Sequence, residues 1–398
     1  MSDLPAKSDR PLRVFICAGE HSGDSHGAAL AKRLRKRDPT IELHGLGGPI
    51  MEAAGVKLRM DFVEHAAMGL IPVLKKLPFF KRMLSETAAY LAEWQPDVLV
   101  PIDYPGFNLR LSGRARKRGV HVAYYVSPQV WAWRPGRIHR IARLVDHMLV
   151  LFPFEVDLYK DVGVPCTFVG HPLFDELRTR KRSPAFRAEL GLDPATPLVG
   201  LLPGSRQHEV DKNLNLILRA ARRVKEQKPE VSFALALAKE SLRPAIEAEL
   251  ANFQDLGVEV LPGKASDIAR VSKAAITVSG TATLELLHYD CPMVVVYQLN
   301  SAQAWLGKRL LTTQWIALVN VLAQREICPE YVCSEDVAEE VATDILALLR
   351  PGRVRKRTLT HMANLRKKVD IKGSHEVAAD TVFDLALKVR AERIAQAK

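Results

Sequence analysis

Cysteine is scarce in this 398-residue chain, and what there is suits no cross-link. The five residues Cys17, Cys166, Cys291, Cys328 and Cys333 form no Cys-X-X-Cys pair and are odd in number. A disulfide framework is therefore excluded, and reduced thiols in the cytoplasm are the expectation. No apolar run approaches the roughly 20 residues that span a bilayer, and Met1–Arg10 is too polar for a signal peptide. Gly-Lys-Ser/Thr, Gly-X-Ser-X-Gly and His-Glu-X-X-His occur nowhere, which removes phosphate-loop nucleotidase, serine hydrolase and zinc protease readings. Histidines are scattered without metal-ligand spacing, so no metal is expected. Acidic residues are also in deficit: 45 Asp and Glu against 57 Lys and Arg leave a formal charge of +12. Such an excess calls for an anionic partner, whether nucleic acid, acidic membrane or phosphorylated substrate.

At 47% apolar and 26% charged the chain is nevertheless an ordinary globular one, long enough for two or three domains. Short apolar runs alternate with helical patterns. Leu12–Ala18, Asp97–Ile102, His121–Val126 and Asp146–Leu151 read as buried strands, with helices over about His26–Arg37 and Leu84–Trp94. After a charged stretch, Arg178–Arg187, which reads as a linker, the rhythm restarts. Its strands are Leu198–Leu202, Val231–Ala236, Val258–Leu261, Ala275–Val278 and Pro292–Val296. Near-continuous apolar strands separated by helical crossovers predict parallel sheets covered on both faces. The expected fold is α/β, with two Rossmann-like domains facing across a cleft. The expected bounds are 1–175, 176–372 and a C-terminal helix, 373–398, that returns to the first domain.

Loops after these strands hold the chemistry-bearing residues. Gly19 to Gly27 follows the first strand and packs Glu20, His21, Asp24 and His26 together, with Ser22 or Asp24 able to cap the helix. Asp103 follows a buried strand and suits either a general base or a cap. Ser127–Arg134 offers Trp131 and Trp133, for packing or for sugar and acyl contact. In the second half, Pro203-Gly204-Ser205-Arg206 precedes a helix and forms an anion site of backbone donors, hydroxyl and guanidinium. Ser279-Gly280-Thr281 repeats that layout, with Glu285 one turn further on and suited to a ribose diol. Between Pro351 and Lys372 eight Lys or Arg face one acid, Asp370, which fits a solvated helix face or contact with phosphates. Met68–Leu84 mixes apolar residues with Lys75, Lys76, Lys81 and Arg82, as a core helix with a basic edge or a shallow membrane insertion would.

Taken in order, these segments resemble the lipid-A-disaccharide synthases, inverting glycosyltransferases of the GT-B fold. The likeness runs from about Arg13 to Val389. It includes Ala18–Asp24, Gly45–Gly55, Met68-Gly69 with Val73-Leu74, Ile102–Asn108, Tyr125–Trp133, Phe168–Pro172, Leu202–Arg206 with Glu209-Val210, Ser279–Glu285, Cys291–Val295 and Asn320–Glu326. The resemblance implies transfer of 2,3-diacylglucosamine from its UDP derivative to 2,3-diacylglucosamine 1-phosphate, releasing UDP, in lipid A biosynthesis and without a metal or other cofactor. It implies Asp103 as base, with Glu20 and Asp24 as rivals. Ser205, Arg206, Ser279, Gly280, Thr281 and Glu285 are expected to hold UDP, with Asn320, Arg325 and Glu326 completing the nucleotide side. It further implies peripheral attachment at the cytoplasmic face of an anionic inner membrane; a homodimer is compatible with the sequence. Three residues depart from the family pattern: His21 replaces a smaller residue, His26 an apolar one and Gln324 a glycine. A UDP-sugar 2-epimerase would share the second-half nucleotide site, but lacks the Gly19–Asp24 and Trp131–Trp133 motifs. A nucleic-acid-binding module would account for the charge, yet no RNA or DNA motif is present.

Overall fold

The computed structural model describes residues 10–66, 77–132, 135–181, 183, 185–299 and 313–396. The chain divides into two compact units. One comprises Met1–Val130, Pro135–Pro172 and Ile371–Lys398; the other comprises Trp131–Arg134 and Leu173–Asp370.

The first unit is built on seven strands: β1 (Arg13–Ala18), β2 (Glu42–Gly47), β3 (Lys57–Asp61), β4 (Val98–Ile102), β5 (His121–Tyr125), β6 (His147–Val150) and β7 (Cys166–Phe168). They pair in the order β3-β2-β1-β4-β5-β6-β7, every pair parallel. β1 and β4 are completely buried along nearly their whole length, as their unbroken apolar runs predict. β2, β3 and β7 escape the sequence reading for a physical reason. β3 lies at a sheet edge and alternates exposed with half-buried residues, β2 carries two glycines and a histidine, and β7 is only three residues long.

The second unit holds β8 (Leu198–Leu202), β9 (Ser232–Leu237), β10 (Glu259–Pro262), β11 (Ala274–Val278), β12 (Met293–Gln298) and β13 (Glu330–Cys333). Their order is β10-β9-β8-β11-β12-β13, again all parallel. Helix Gln207–Gln227 shows how such a sheet is covered. It buries Val210, Leu214, Ile217, Ala221 and Val224 at helical spacing, while Arg222 and Arg223 pair with Asp255 and Glu226 on its outer side. Each fully buried Leu or Ile there contributes about 1.5–3 kcal/mol. The supposed linker is folded too. Pro172–Thr179 and Phe186–Glu189 are helical, Arg178 bonds Asp175 and Asp370, and Arg187 donates to the carbonyls of Asp193 and Thr196. Its charges read as solvated in the sequence because their partners lie on other elements.

Helix Ser374–Gln396 belongs to the first unit, where it packs along helix His21–Arg37. Arg33–Glu376 and Arg37–Asp380 bridge the two at 2.6 Å. At the far end Asp97, fully buried, accepts from Arg10 and from Arg390. Ser374 Oγ donates to the Gly170 carbonyl at 2.8 Å, next to a cluster of His26, His171 and His375, in which His26 Nδ1 lies 3.4 Å from His375 Nε2. Among the described residues no helix is long and apolar enough to cross a membrane.

The histidine cluster makes this unit acid-labile. Burial and the two neighbouring rings push His26 down to about 3, and burial pushes His171 down to about 4. Both are held neutral in the fold but take a proton near pH 6.5 when unfolded, so stability is full above pH 6.5 and is lost as pH falls toward 4. Each contributes a slope of about 1.4 kcal/mol per pH unit. Urea midpoints measured from pH 7 to pH 4 are expected to fall less steeply for His26→Leu than for the parent; parallel slopes would disprove the assignment.

Candidate active site

Parallel strands send all their following loops to one rim, and the strand order of each sheet reverses direction once. In the first unit that switch lies between β1 and β4, where Ala18 pairs with Ile102. In the second it lies between β8 and β11, where Leu202 pairs with Thr277. Such switch points part neighbouring loops and open a crevice for ligands. The loops that leave them are Gly19–Glu20 and Asp103–Tyr104 in one unit, Pro203–Arg206 and Ser279–Thr281 in the other.

At the first switch point β4 ends on two successive left-handed residues, Asp103 at φ +44° and Tyr104 at φ +46°. Neither is glycine, and each costs about 1–2 kcal/mol in that conformation. Pro105 then starts helix Pro105–Arg116. The Tyr104 ring folds over Gly19 so closely that a Cβ there would lie 2.4 Å from it, so only glycine fits. β5 closes in the same manner with Val126 at φ +67°, an outlier for a β-branched residue. Strain gathered at one rim is a mark of a working site.

The Asp103 carboxyl is half-buried, and its pKa is lifted to about 6, first by burial and then by the charge of Glu20, against a hydrogen bond from the Tyr104 N–H. Glu20 is exposed, at the N-cap of helix His21–Arg37, which starts five residues earlier than the sequence suggests because Ser22 and Gly23 mask its first turn. Asp24 requires a correction. It is fully buried; Oδ1 accepts from the N–H groups of Gly48 and Met51, and Oδ2 from that of Ile50. Its charge caps helix Pro49–Ala53, which takes it out of contention for proton transfer. Beside Asp103, the rings of Tyr104, Phe62, Phe107 and Phe80 form a continuous cluster, Phe62 and Phe107 only 4.7 Å apart. The cluster runs into the start of helix Leu77–Trp94, where Leu77 is exposed alongside Lys81 and Arg82. Residues 68–76 of the apolar, basic segment, together with Trp133 and Arg134, lie outside the described residues.

At the second switch point, loop 203–206 already holds an anion of its own. Glu209 is buried, and its Oε2 accepts from the N–H groups of Ser205 (2.9 Å) and Arg206 (3.2 Å). Gly204, at φ +117°, leaves the space that this carboxylate fills. The backbone donors are therefore spent. What the loop offers a ligand is the exposed Ser205 hydroxyl and the Arg206 guanidinium, 70% exposed and bonded to Glu209 through Nη1 at 3.0 Å. The sequence reading placed Glu209 in the family motif but gave it no role, although Arg206 and a Glu three residues later form a capping-box spacing.

On the neighbouring loop, Ser279 donates its hydroxyl to the Ile316 carbonyl, so that side chain holds the chain rather than a phosphate. Gly280 is open at φ +151°, and the first intrachain N–H bond of the turn is made by Thr283. The N–H groups of Gly280, Thr281 and Ala282 thus have no intrachain acceptor among the described residues. Glu285 is nearly buried; Arg180 and Ser266 donate to Oε1, which leaves Oε2 as the available acceptor among the described residues. Asn320 is the second correction. It is fully buried, accepts from the N–H groups of Ile327 and Cys328, and donates to the Cys328 carbonyl and to Glu330, so it organises its own loop and has nothing left for a nucleotide. Arg325 and Glu326 are exposed on that loop.

A family model described as Lipid-A-disaccharide synthetase matches residues 14–382. The lipid-A-disaccharide synthase of Geobacter sulfurreducens is 39% identical over 94% of this chain and 97% of its own length. That of Myxococcus xanthus is 38% identical over 94% and 98%. Among solved structures, the UDP-GlcNAc 2-epimerase from Neisseria meningitidis bound to UDP-GlcNAc superposes with a TM-score of 0.60 at 12% identity, over 94% of this chain and 100% of that one. S. aureus MnaA with UDP gives 0.60 at 11%, over 92% and 94%. At such identities the structural likeness speaks for the fold, α/β of the GT-B class.

Gln324, expected to depart from the family pattern, carries a conformational cost. Gln324 caps helix Leu318–Ala323 in the left-handed conformation, φ +52°, where glycine carries no penalty. Gln324→Gly is expected to stabilise the protein by about 1 kcal/mol, read as a raised urea midpoint; a lowered midpoint would show that the glutamine side chain contributes packing instead.

Proposed function

The chain belongs to the lipid-A-disaccharide synthetase family, and on that premise we propose how its residues divide the work of joining two acylated glucosamines. It is a glycosyltransferase of lipid A disaccharide synthesis. The donor in this reading is UDP-2,3-diacylglucosamine, the acceptor is 2,3-diacylglucosamine 1-phosphate, and UDP leaves.

Asp103 takes the proton of the acceptor 6-hydroxyl as its oxygen attacks the anomeric carbon from the face opposite the diphosphate, which inverts that centre. The observation that carries this assignment is a half-buried carboxyl with its pKa lifted to about 6, on a strained turn at a topological switch point. A base works best when its pKa lies near the working pH, because it is then ionised yet still basic enough to hold a proton. Glu20 contributes the negative charge that keeps the pKa up.

The leaving diphosphate is held by the Arg206 fork, the Ser205 hydroxyl and the open N–H groups of Gly280, Thr281 and Ala282. Charge-assisted bonds from a guanidinium and oriented N–H groups neutralise an oxyanion without a metal, and the reaction is proposed to need none. Glu285 accepts from the ribose hydroxyls through Oε2, with Arg325 and Glu326 at the edge of the nucleotide site. The UDP and UDP-GlcNAc in the structural neighbours support a uridine nucleotide here. Acyl chains approach over Leu77 and the Phe80–Phe107–Tyr104 cluster, with Lys81 and Arg82 meeting anionic headgroups, so that the enzyme works peripherally on the cytoplasmic face of the inner membrane.

Asp103→Asn is expected to lower kcat by ~10²-fold or more while UDP binding persists. In the parent, kcat should fall below about pH 6 as Asp103 takes up a proton. UDP release from the two acylated substrates reads both effects, and a chelator should leave the rate unchanged. Near-normal turnover by Asp103→Asn would remove Asp103 from this role, and a rate that collapses with chelator would reinstate a metal.

A further inference from the structure

We propose that Asn108 and Tyr124 are positioning residues, clamping the Asp103 main chain in its left-handed turn and so aiming the Asp103 carboxylate. The inference deepens the reading of Asp103 as base and rests on it.

A turn with two successive non-glycine residues at positive φ does not hold itself, and persists only where its surroundings over-determine it. The hydrogen bonds around Asp103 do so. The two hydrogens of Asn108 Nδ2 are shared among three carbonyls, those of Asp103 at 2.8 Å, Ile102 at 3.0 Å and Cys17 at 3.3 Å. The Tyr124 hydroxyl donates to the same Asp103 carbonyl at 2.6 Å. The Asp103 N–H donates to the Tyr125 carbonyl at 2.9 Å. The Asp103 carbonyl thus receives two side-chain donors, from helix Pro105–Arg116 and from β5, while the N–H of the same residue is tied to β5. The same amide that grips Asp103 also grips the end of β1, which leads into Gly19 and Glu20.

Asn108 and Tyr124 are both fully buried, so neither reaches a substrate and any effect on turnover passes through Asp103. Asn108 also stays at a cost. Its Oδ1 is buried and has no hydrogen-bond partner among the described residues, a penalty of about 1–3 kcal/mol that an apolar side chain would avoid. What the position gains from an amide is its donors, and the carbonyls those donors reach are the ends of β1 and β4. Relaxation of the turn by about 1 Å is enough to cost up to ~10² in rate, because a base must lie within hydrogen-bond reach of the proton it removes.

Three single variants, Tyr124→Phe, Asn108→Ala and Asp103→Asn, and the two doubles with Asp103→Asn decide the matter in the full-length chain, with UDP release as readout. Tyr124→Phe removes one hydroxyl and keeps the buried ring, so it remains decisive if Asn108→Ala does not fold. We expect kcat to drop roughly 10-fold for Tyr124→Phe and by ~10² for Asn108→Ala, with the KM for the UDP-sugar unchanged. The acid limb of the Tyr124→Phe pH–rate profile should move, since the carboxyl no longer occupies the same site. In the Asp103→Asn background neither change should lower kcat further, because groups acting through one residue are not additive. Full additivity, or a Tyr124→Phe enzyme with parental kcat and an unmoved acid limb, would overturn the positioning role while leaving Asp103 as base. Parental turnover by Asp103→Asn would overturn both.

Discussion

Parallel pairing is the constraint from which the rest of this molecule follows. A parallel strand needs a crossover after it, so every strand in a sheet ends at the same rim and the loops that leave it lie side by side. With the first strand of each unit in the middle of its sheet, the two loops flanking the reversal in strand order part rather than crowd. Glycine, strained non-glycine residues and short helices then gather where the backbone must turn sharply from a buried strand. The carboxylates that follow β1 and β4 and the donors that follow β8 and β11 occupy equivalent positions in the two sheets, because parallel topology brings those loops to the switch point of each.

Around these rims the polar side chains divide into two kinds. Asp24, Asn108, Glu209 and Asn320 are buried and spend their hydrogen bonds on main-chain groups that the turns leave without partners. A buried polar group left unpaired is costly, so each of these fixes its loop in one geometry. Glu20, Ser205, Arg206, Thr281, Arg325 and Glu326 remain exposed and stay available to bind. Asp103 sits between the two kinds: its main chain is gripped, while its carboxyl is largely but not wholly removed from water. That intermediate position gives it a pKa near neutrality, where a fully exposed carboxylate would titrate about two units lower.

Which residues follow the buried strands at the two switch points was legible from the sequence, and what each of them bonds was not. Gly19, Asp103, Arg206 and Gly280 were marked by their place just after an apolar strand, a signal carried by local pattern alone. Asp24 carried that signal equally well, and Asn320 was named through the family resemblance alone, yet their partners are backbone groups of residues 48–51 and of residues 327–328, which the pattern around them does not reveal. Glu209 stood in the family motif without a role, because a glutamate in the first turn of a helix resembles any other cap until its carboxylate is seen lying against the Ser205 and Arg206 N–H groups. The strands missed, β2, β3, β7 and β13, lack an unbroken apolar run: β2 is interrupted by glycines and a histidine, β3 alternates exposed with half-buried residues, and β7 and β13 are only three and four residues long.

By itself the sequence determined the architecture, two series of apolar strands with helical crossovers, since burial on both faces of a parallel sheet demands continuous apolar runs. Through the order and spacing of its motifs it also determined the family. Only the tertiary structure decided which carboxylates are free, because a hydrogen bond between residues far apart in the chain exists only once the fold has brought its donors and acceptors within 3 Å of each other.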